Sequence, residues 1–290
     1  MTQPVDHVLE VPGAVLHYDV RESEPVGGPV LLMIGSPMGA GGFAALATHF
    51  ADRTVVTYDP RGAERSRRTD PDLEVTPDVH AADVYAVIEA VGGGPVDVFA
   101  SSGGAVNALA LVAAHPDLVR TLVAHEPPAV ALLPDAHDAL AACQAVHETY
   151  QRDGFGPGMA HFIALISLRG PVPADFASRP APDPATFGMS AEDDGSRDDL
   201  MLSSNIVTVT QYRPNADRLR AASTRIVPAV GADSNGELAQ RGGQAVAELL
   251  GMEPVEFPGG HGGFLGGEYG QAGDPGLFAE RLREVLADGV

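Results

Sequence analysis

Along the first half of the chain, short apolar runs alternate with longer stretches in which apolar residues recur at helical spacing. Val5–Val11 and Val15–Val20 alternate as strands and meet at Pro12-Gly13, a turn dipeptide, which predicts a hairpin. Val30–Ile34, Thr54–Tyr58, Val96–Phe99 and Leu118–His125 are short, nearly continuous apolar runs of the kind that suits strands buried on both faces. Between them the spacing predicts helices near 43–50, over about 77–91 with Thr76 as cap, and over 105–114. Strands alternating with helices imply a mostly parallel sheet covered on both sides.

The alternation stops at Glu126-Pro127-Pro128. From about 129 to 220 the pattern is helical and irregular, with a proline-rich acidic stretch through Pro171, Pro173, Pro180, Pro182 and Pro184 that no continuous helix or sheet accommodates. Strand and helix patterns return at 224–230, 237–250, 255–257 and 275–286. The simplest organisation is one α/β core, residues 1–128 and 221–290, interrupted by a mostly helical cap over 129–220.

One junction carries chemistry. Val96-Asp97-Val98-Phe99-Ala100-Ser101-Ser102-Gly103-Gly104-Ala105 runs from strand pattern to helix pattern through small residues, with serine at the apex. This is the layout of a nucleophile elbow, whose tight turn demands small side chains two positions before and after the nucleophile. With Ser102 as nucleophile those positions hold Ala100 and Gly104. With Ser101 one of them would hold Phe99, whose ring would collide with the turning backbone. Ser102 is the candidate nucleophile, and the N–H of Gly103 opens the helix towards a developing oxyanion.

Composition narrows the chemistry further. The 290 residues carry 39 acids and 18 bases, a formal charge of −21, and every base is arginine. Lysine chemistry, both Schiff base and P-loop, is excluded, and the acidic balance argues against nucleic acid or an anionic membrane as partner. The single cysteine, Cys143, permits no internal disulfide and sits in an alanine-rich helical pattern as a small buried hydrophobe. Met1–His7 has neither basic stretch nor apolar core, so no signal peptide is expected, and the longest apolar run, 108–114, is too short to span a bilayer. A cytoplasmic protein acting on a small molecule is the expectation.

With these residues in place the chain resembles the α/β-hydrolase superfamily along its whole core. Asp59-Pro60-Arg61-Gly62-Ala63-Glu64-Arg65-Ser66 is similar to the family's Asp-x-Arg-Gly-x-Gly-x-Ser segment, with Glu64 in place of the second glycine. Asp59 and Arg61 are there given a structural role. Ile34-Gly35-Ser36-Pro37 aligns with the family's His-Gly-x-Pro loop, with isoleucine in place of the histidine. The resemblance gives Ser36 the second oxyanion N–H, or Met38 in another register. Phe257-Pro258-Gly259-Gly260-His261 places a histidine in a glycine-rich turn after the last strand, where the family carries its general base. The other nine histidines read as surface residues.

The third triad member has two candidates. Gly231-Ala232-Asp233 puts an aspartate in the usual loop but one residue early, whereas Glu126 directly follows the strand after the elbow. Both stay open, with a lean to Glu126.

The resemblance implies an eight-stranded, mostly parallel sheet with helices on both faces and a helical cap after the sixth strand. It also implies a serine hydrolase acting on an ester, lactone or thioester of a small to medium, largely apolar molecule, needing no cofactor and no metal. A serine at the elbow argues against the branches that use an aspartate there. Carbon–carbon hydrolysis, acyl transfer, or a ligand-binding role on a hydrolase scaffold are the alternatives. Met38, Met159, Phe162 and Tyr212, together with His161, Leu165, Met201 and Ile206, are the candidate pocket residues.

Overall fold

A computed structural model describes residues 3–23 and 27–287. Residues 1, 2, 24–26 and 288–290, which belong to the predicted core ranges and, at the start, to the stretch read for a signal peptide, lie outside the described residues.

The predicted hairpin forms from β1 (Val5–Val11) and β2 (Ala14–Arg21), paired antiparallel through Val11↔Ala14, with Gly13 at φ +76° in the turn. β3 (Leu31–Ile34), β4 (Val55–Tyr58), β6 (Val96–Ser101), β7 (Val119–His125), β8 (Arg225–Gly231) and β9 (Val255–Phe257) complete the sheet in the order β1-β2-β4-β3-β6-β7-β8-β9. Everything from β4 to β9 in that order is parallel. Eight strands lie on the main path as expected, and a ninth, the two-residue β5 (Arg67–Arg68), pairs with β2 at the side.

Side chains along a strand alternate between faces, and the two cores of the sheet follow from that period. Leu32, Ile34, Val98 and Ala100 pack with α2 (Pro77–Ala90) and α3 (Gly103–Ala114) on one face. Leu31, Met33, Phe99 and Val123 pack on the other with α1 (Ala44–Ala47) and α9 (Pro275–Ala287). Thr76 caps α2 as predicted, its hydroxyl accepting from the Val79 amide at 3.4 Å, with Pro77 in the first turn. The helix predicted near 43–50 is shorter: a 3₁₀ turn over Ala40–Phe43 runs into α1, and the amides of Thr48, His49 and Phe50 close tighter turns onto the carbonyls of Ala45, Leu46 and Ala47 instead of continuing the helix.

Between β7 and β8 the described residues hold no strand. α4 (Ala136–Asp153), α5 (Phe155–Ile166), a π turn (Met201–Asn205), α6 (Ile206–Gln211) and α7 (Ala216–Ala221) are joined by irregular chain with short 3₁₀ turns. This segment is built around a separate apolar cluster of Val130, Ala139, Val146, Tyr150 and Leu202, which Leu238 joins from beyond β8. Its last helix differs: Leu219 of α7 packs into the cluster that holds α3, so the chain has rejoined the sheet layer before β8 begins. α8 (Leu238–Leu250) follows β8. Among the described residues no helix is long and apolar enough to cross a membrane.

Candidate active site

The elbow forms where the small residues require it. Ser102 sits between β6 and α3 at φ +58°, ψ −131°, a conformation that a non-glycine residue adopts only when its surroundings impose it. Its amide donates to the His125 carbonyl at 2.9 Å, tying the turn to the end of β7. A Cβ at Gly104 would lie 2.6 Å from the Ile34 carbonyl oxygen and 2.8 Å from the Gly35 Cα, and one at Gly103 would lie 2.6 Å from the Ser36 carbonyl oxygen. These contacts are with backbone, which cannot swing aside. The elbow is therefore pressed directly against the loop after β3, which brings Ser36 and Gly103 together.

That loop is held from below by the charged segment after β4. Asp59, buried, accepts from the Ala40 amide at 2.8 Å and from Arg65 Nε at 2.6 Å, while Arg61 forms a buried two-point ion pair with Asp83 at 2.7 and 2.6 Å. Asp59 and Arg61 are scaffold residues in this geometry.

Of the two candidate acids, one meets the histidine. Glu126 is fully buried at the end of β7, at φ +47°, and its carboxylate is divided between two donors. Oε1 accepts from the Gly231 amide at 2.9 Å and Oε2 lies 2.7 Å from His261 Nδ1. Burial alone would raise this carboxyl, but the hydrogen bond with His261 and the charges of His125 and His261 outweigh it and hold the pKa at about 2. Asp233 is exposed in the loop after β8, where its amide donates to the Gly259 carbonyl at 3.0 Å. With Nδ1 engaged, His261 has Nε2 left for the cavity that it lines together with Ser102. The loop carrying His261 is anchored by Phe264, stacked on Phe43 at 5.5 Å.

Ser101 has a different partner. Its hydroxyl lies 3.2 Å from His125 Nδ1, and the His125 ring is enclosed by Phe99, Phe257, Phe264 and Phe278. Desolvation lowers the His125 pKa to about 4, so this imidazole is neutral at physiological pH.

The cavity above Ser102 measures about 1210 Å³. Ser36, Gly103 and His261 line it beside the serine, and Met38, Met159, Phe162, Met201 and Ile206 supply apolar wall. Tyr212 does not join them: at the end of α6 its hydroxyl turns to Asp78 of α2 at 3.4 Å and its ring packs on the core of the sheet. His161 is likewise elsewhere, bonded to Thr149 at 3.0 Å and stacked on Phe176, and Leu165 packs inside the helical segment. Helical spacing puts these residues on an inward face without saying whether that face meets the cavity or a neighbouring helix. Sequence reasoning also passed over Asn205, which lines the cavity and donates from Nδ2 to Ser36 Oγ at 2.9 Å; a lone asparagine in an irregular stretch carries no signal of that kind.

A sequence model of the alpha/beta hydrolase fold matches residues 28–215. The chain belongs to the α/β-hydrolase family. A hydrolase of Bacillus subtilis (strain 168), described as uncharacterized, is 30% identical to it over 283 residues, covering 96% of this chain and 94% of its own. Among solved structures, a thermophilic esterase from Thermogutta terrifontis superposes with a TM-score of 0.64 at 20% identity, covering 99% of both chains. The enol-lactonase from Burkholderia xenovorans LB400 gives 0.63 at 17% identity over 98% of this chain and 99% of that one. At those identities the two structures establish a shared fold. This α/β hydrolase thus carries its candidate nucleophile and histidine at the ends of β6 and β9, with Glu126 at the end of β7 between them in the sheet order.

Proposed function

We propose that this α/β hydrolase is a serine hydrolase that cleaves an ester, lactone or thioester of a small to medium, largely apolar molecule through an acyl-enzyme on Ser102. The observation that carries the reading is the 2.7 Å contact between buried Glu126 and His261 Nδ1, on the same cavity as a serine held at φ +58°. In this reading Glu126 fixes the imidazole tautomer and stabilises the imidazolium. His261 Nε2 takes the proton of Ser102 Oγ as the hydroxyl attacks the substrate carbonyl carbon. The oxyanion is received by the amides of Gly103 and Ser36, with Met38 as wall. His261 then gives its proton to the departing alcohol or thiol, and the same steps with water release the acid. The helical segment 129–220 acts as the cap, and its methionines and Phe162 meet the acyl or alcohol portion of the substrate.

The test is active-site labelling. A fluorophosphonate should modify Ser102, and Ser102→Ala should lose both labelling and at least ~10³-fold of the turnover of p-nitrophenyl butyrate. Ser101→Ala should retain most of both, since that hydroxyl faces His125. An unlabelled, inactive wild type would mark a binding scaffold instead.

A further inference from the structure

The helical segment between β7 and β8 touches the oxyanion side of the site through a buried polar contact. Asn205 ends the π turn Met201–Asn205 and is 3% exposed; its Nδ2 donates at 2.9 Å to the hydroxyl of Ser36, itself 2% exposed and 169 residues away in sequence. Ser36 is therefore gripped from two sides, by Gly103 of the elbow, which leaves no room for a Cβ against its carbonyl, and by Asn205 from above.

Packing alone does not account for an asparagine here. Its neighbours Leu202 and Ile206 are buried and apolar, and a leucine would fill the space without desolvating an amide. The remaining amide atom, Oδ1, is buried with no partner among the described residues, in a side chain that lines the catalytic cavity. An unmet buried polar atom in a native fold calls for a reason, and π turns, which insert one extra residue and re-aim the side chains around it, recur at functional sites.

We infer that Asn205 is a positioning residue for the oxyanion hole. By holding the Ser36 hydroxyl it fixes the Ser36 backbone, so that the Ser36 N–H stays directed at the oxyanion formed over Ser102. The helical segment thereby sets the reactivity of the serine as well as the shape of the pocket. The inference rests on the serine-hydrolase reading above.

The experiment compares Asn205→Ala, Asn205→Leu, Ser36→Ala and the Asn205→Ala/Ser36→Ala double variant with wild type. The readouts are kcat and KM on p-nitrophenyl butyrate and the Ki of a butyl trifluoromethyl ketone, whose hemiketal oxygen occupies the oxyanion position. All four variants should lose about 10- to 100-fold in kcat with KM within about threefold, and Ki should weaken by the same factor as kcat falls. The double variant should be no worse than either single one, because the two side chains act as one device. Leucine restoring kcat, a change confined to KM, kcat within twofold of wild type, or losses that multiply in the double variant would each overturn the inference. If Asn205→Ala fails to fold, Ser36→Ala with the ketone decides alone. Failure of wild type to be labelled at Ser102 would defeat the underlying reading; intact labelling with any of the overturning results defeats only the role of Asn205.

Discussion

Glu126 serves two donors with two oxygens, and that division makes the carboxylate hard to replace. In Glu126→Gln, an amide oxygen facing Gly231 would put an NH₂ group against His261 Nδ1, forcing the proton to Nε2, the atom that accepts from Ser102 in the proposed mechanism. Kcat should fall by as much as ~10⁴-fold, while Asp233→Asn should stay within a few fold; melting curves for both separate a lost orienting group from a lost anchor. Ionisation of Glu126 does not limit the rate near neutrality, because its pKa lies at about 2. Because the folded-state value is depressed, the stability contribution of Glu126 is present above the ordinary carboxylate pKa and is lost as pH falls through about 2. The sequence could rank Glu126 and Asp233 only weakly, because both follow adjacent parallel strands and spacing does not encode which loop turns its side chain inward. The burial of Glu126 comes from contacts far along the chain, above all the Gly231 amide and the His261 loop. By contrast the placement of Ser102 at the strand–helix turn and of His261 on the same cavity was legible, because the small residues around them are demanded by local backbone geometry.

At the scale of elements, the β6–α3 junction tolerates no added atom. Gly104→Ala brings a methyl against the backbone of Ile34 and Gly35, and we expect a loss of more than about 2 kcal/mol in chemical denaturation, or failure to accumulate as folded protein. Helix α2 carries a second local constraint in His80, which, like His125 and His161, is buried where a surface histidine was expected, with neither ring nitrogen bonded among the described residues. Desolvation, aided by the nearby Arg61 charge, lowers its pKa to about 3. Here the folded state resists a proton that the unfolded chain accepts near 6.5, so stability falls as pH drops from about 6.5 to about 3. His80→Leu should remove that dependence: its unfolding free energy relative to wild type should rise by up to about 1.4 kcal/mol for each pH unit descended in that window, as urea titrations would show. A flat difference would mean that His80 is protonated in the fold. Strands and helices of the core were readable to within a few residues because their apolar period matches their burial. The chain between α5 and the π turn was readable only as irregular, since its path is set by side-chain bonds such as Asp199 capping the Leu202 amide at 2.8 Å.

Across the whole molecule, a charge of −21 meets a cavity whose solvent side carries Glu64, Asp194 and Asp198, while Arg169 there is paired with Glu237 at 2.7 Å. Such a field repels anionic substrates, and salt screens it. p-Nitrophenyl hemisuccinate should show a kcat/KM at least ~10-fold below that of the neutral butyrate ester at ~10 mM ionic strength, with the gap narrowing as sodium chloride is added. A gap independent of salt would place the discrimination in pocket shape. The order of the sheet has a further consequence, for synthesis. Glu126 and His261 are 135 residues apart, and β8 and β9, which cover Glu126 and carry the His261 loop, follow the whole helical segment. At roughly 5–20 residues per second, a ribosome leaves Ser102 and Glu126 waiting about 7–27 s for His261. For roughly the first 5–20 s of that interval, until β8 is made, β7 is an edge strand with an open ladder, ready to pair with any neighbouring nascent chain. Premature termination before Arg225 therefore yields an adhesive fragment rather than a slow enzyme.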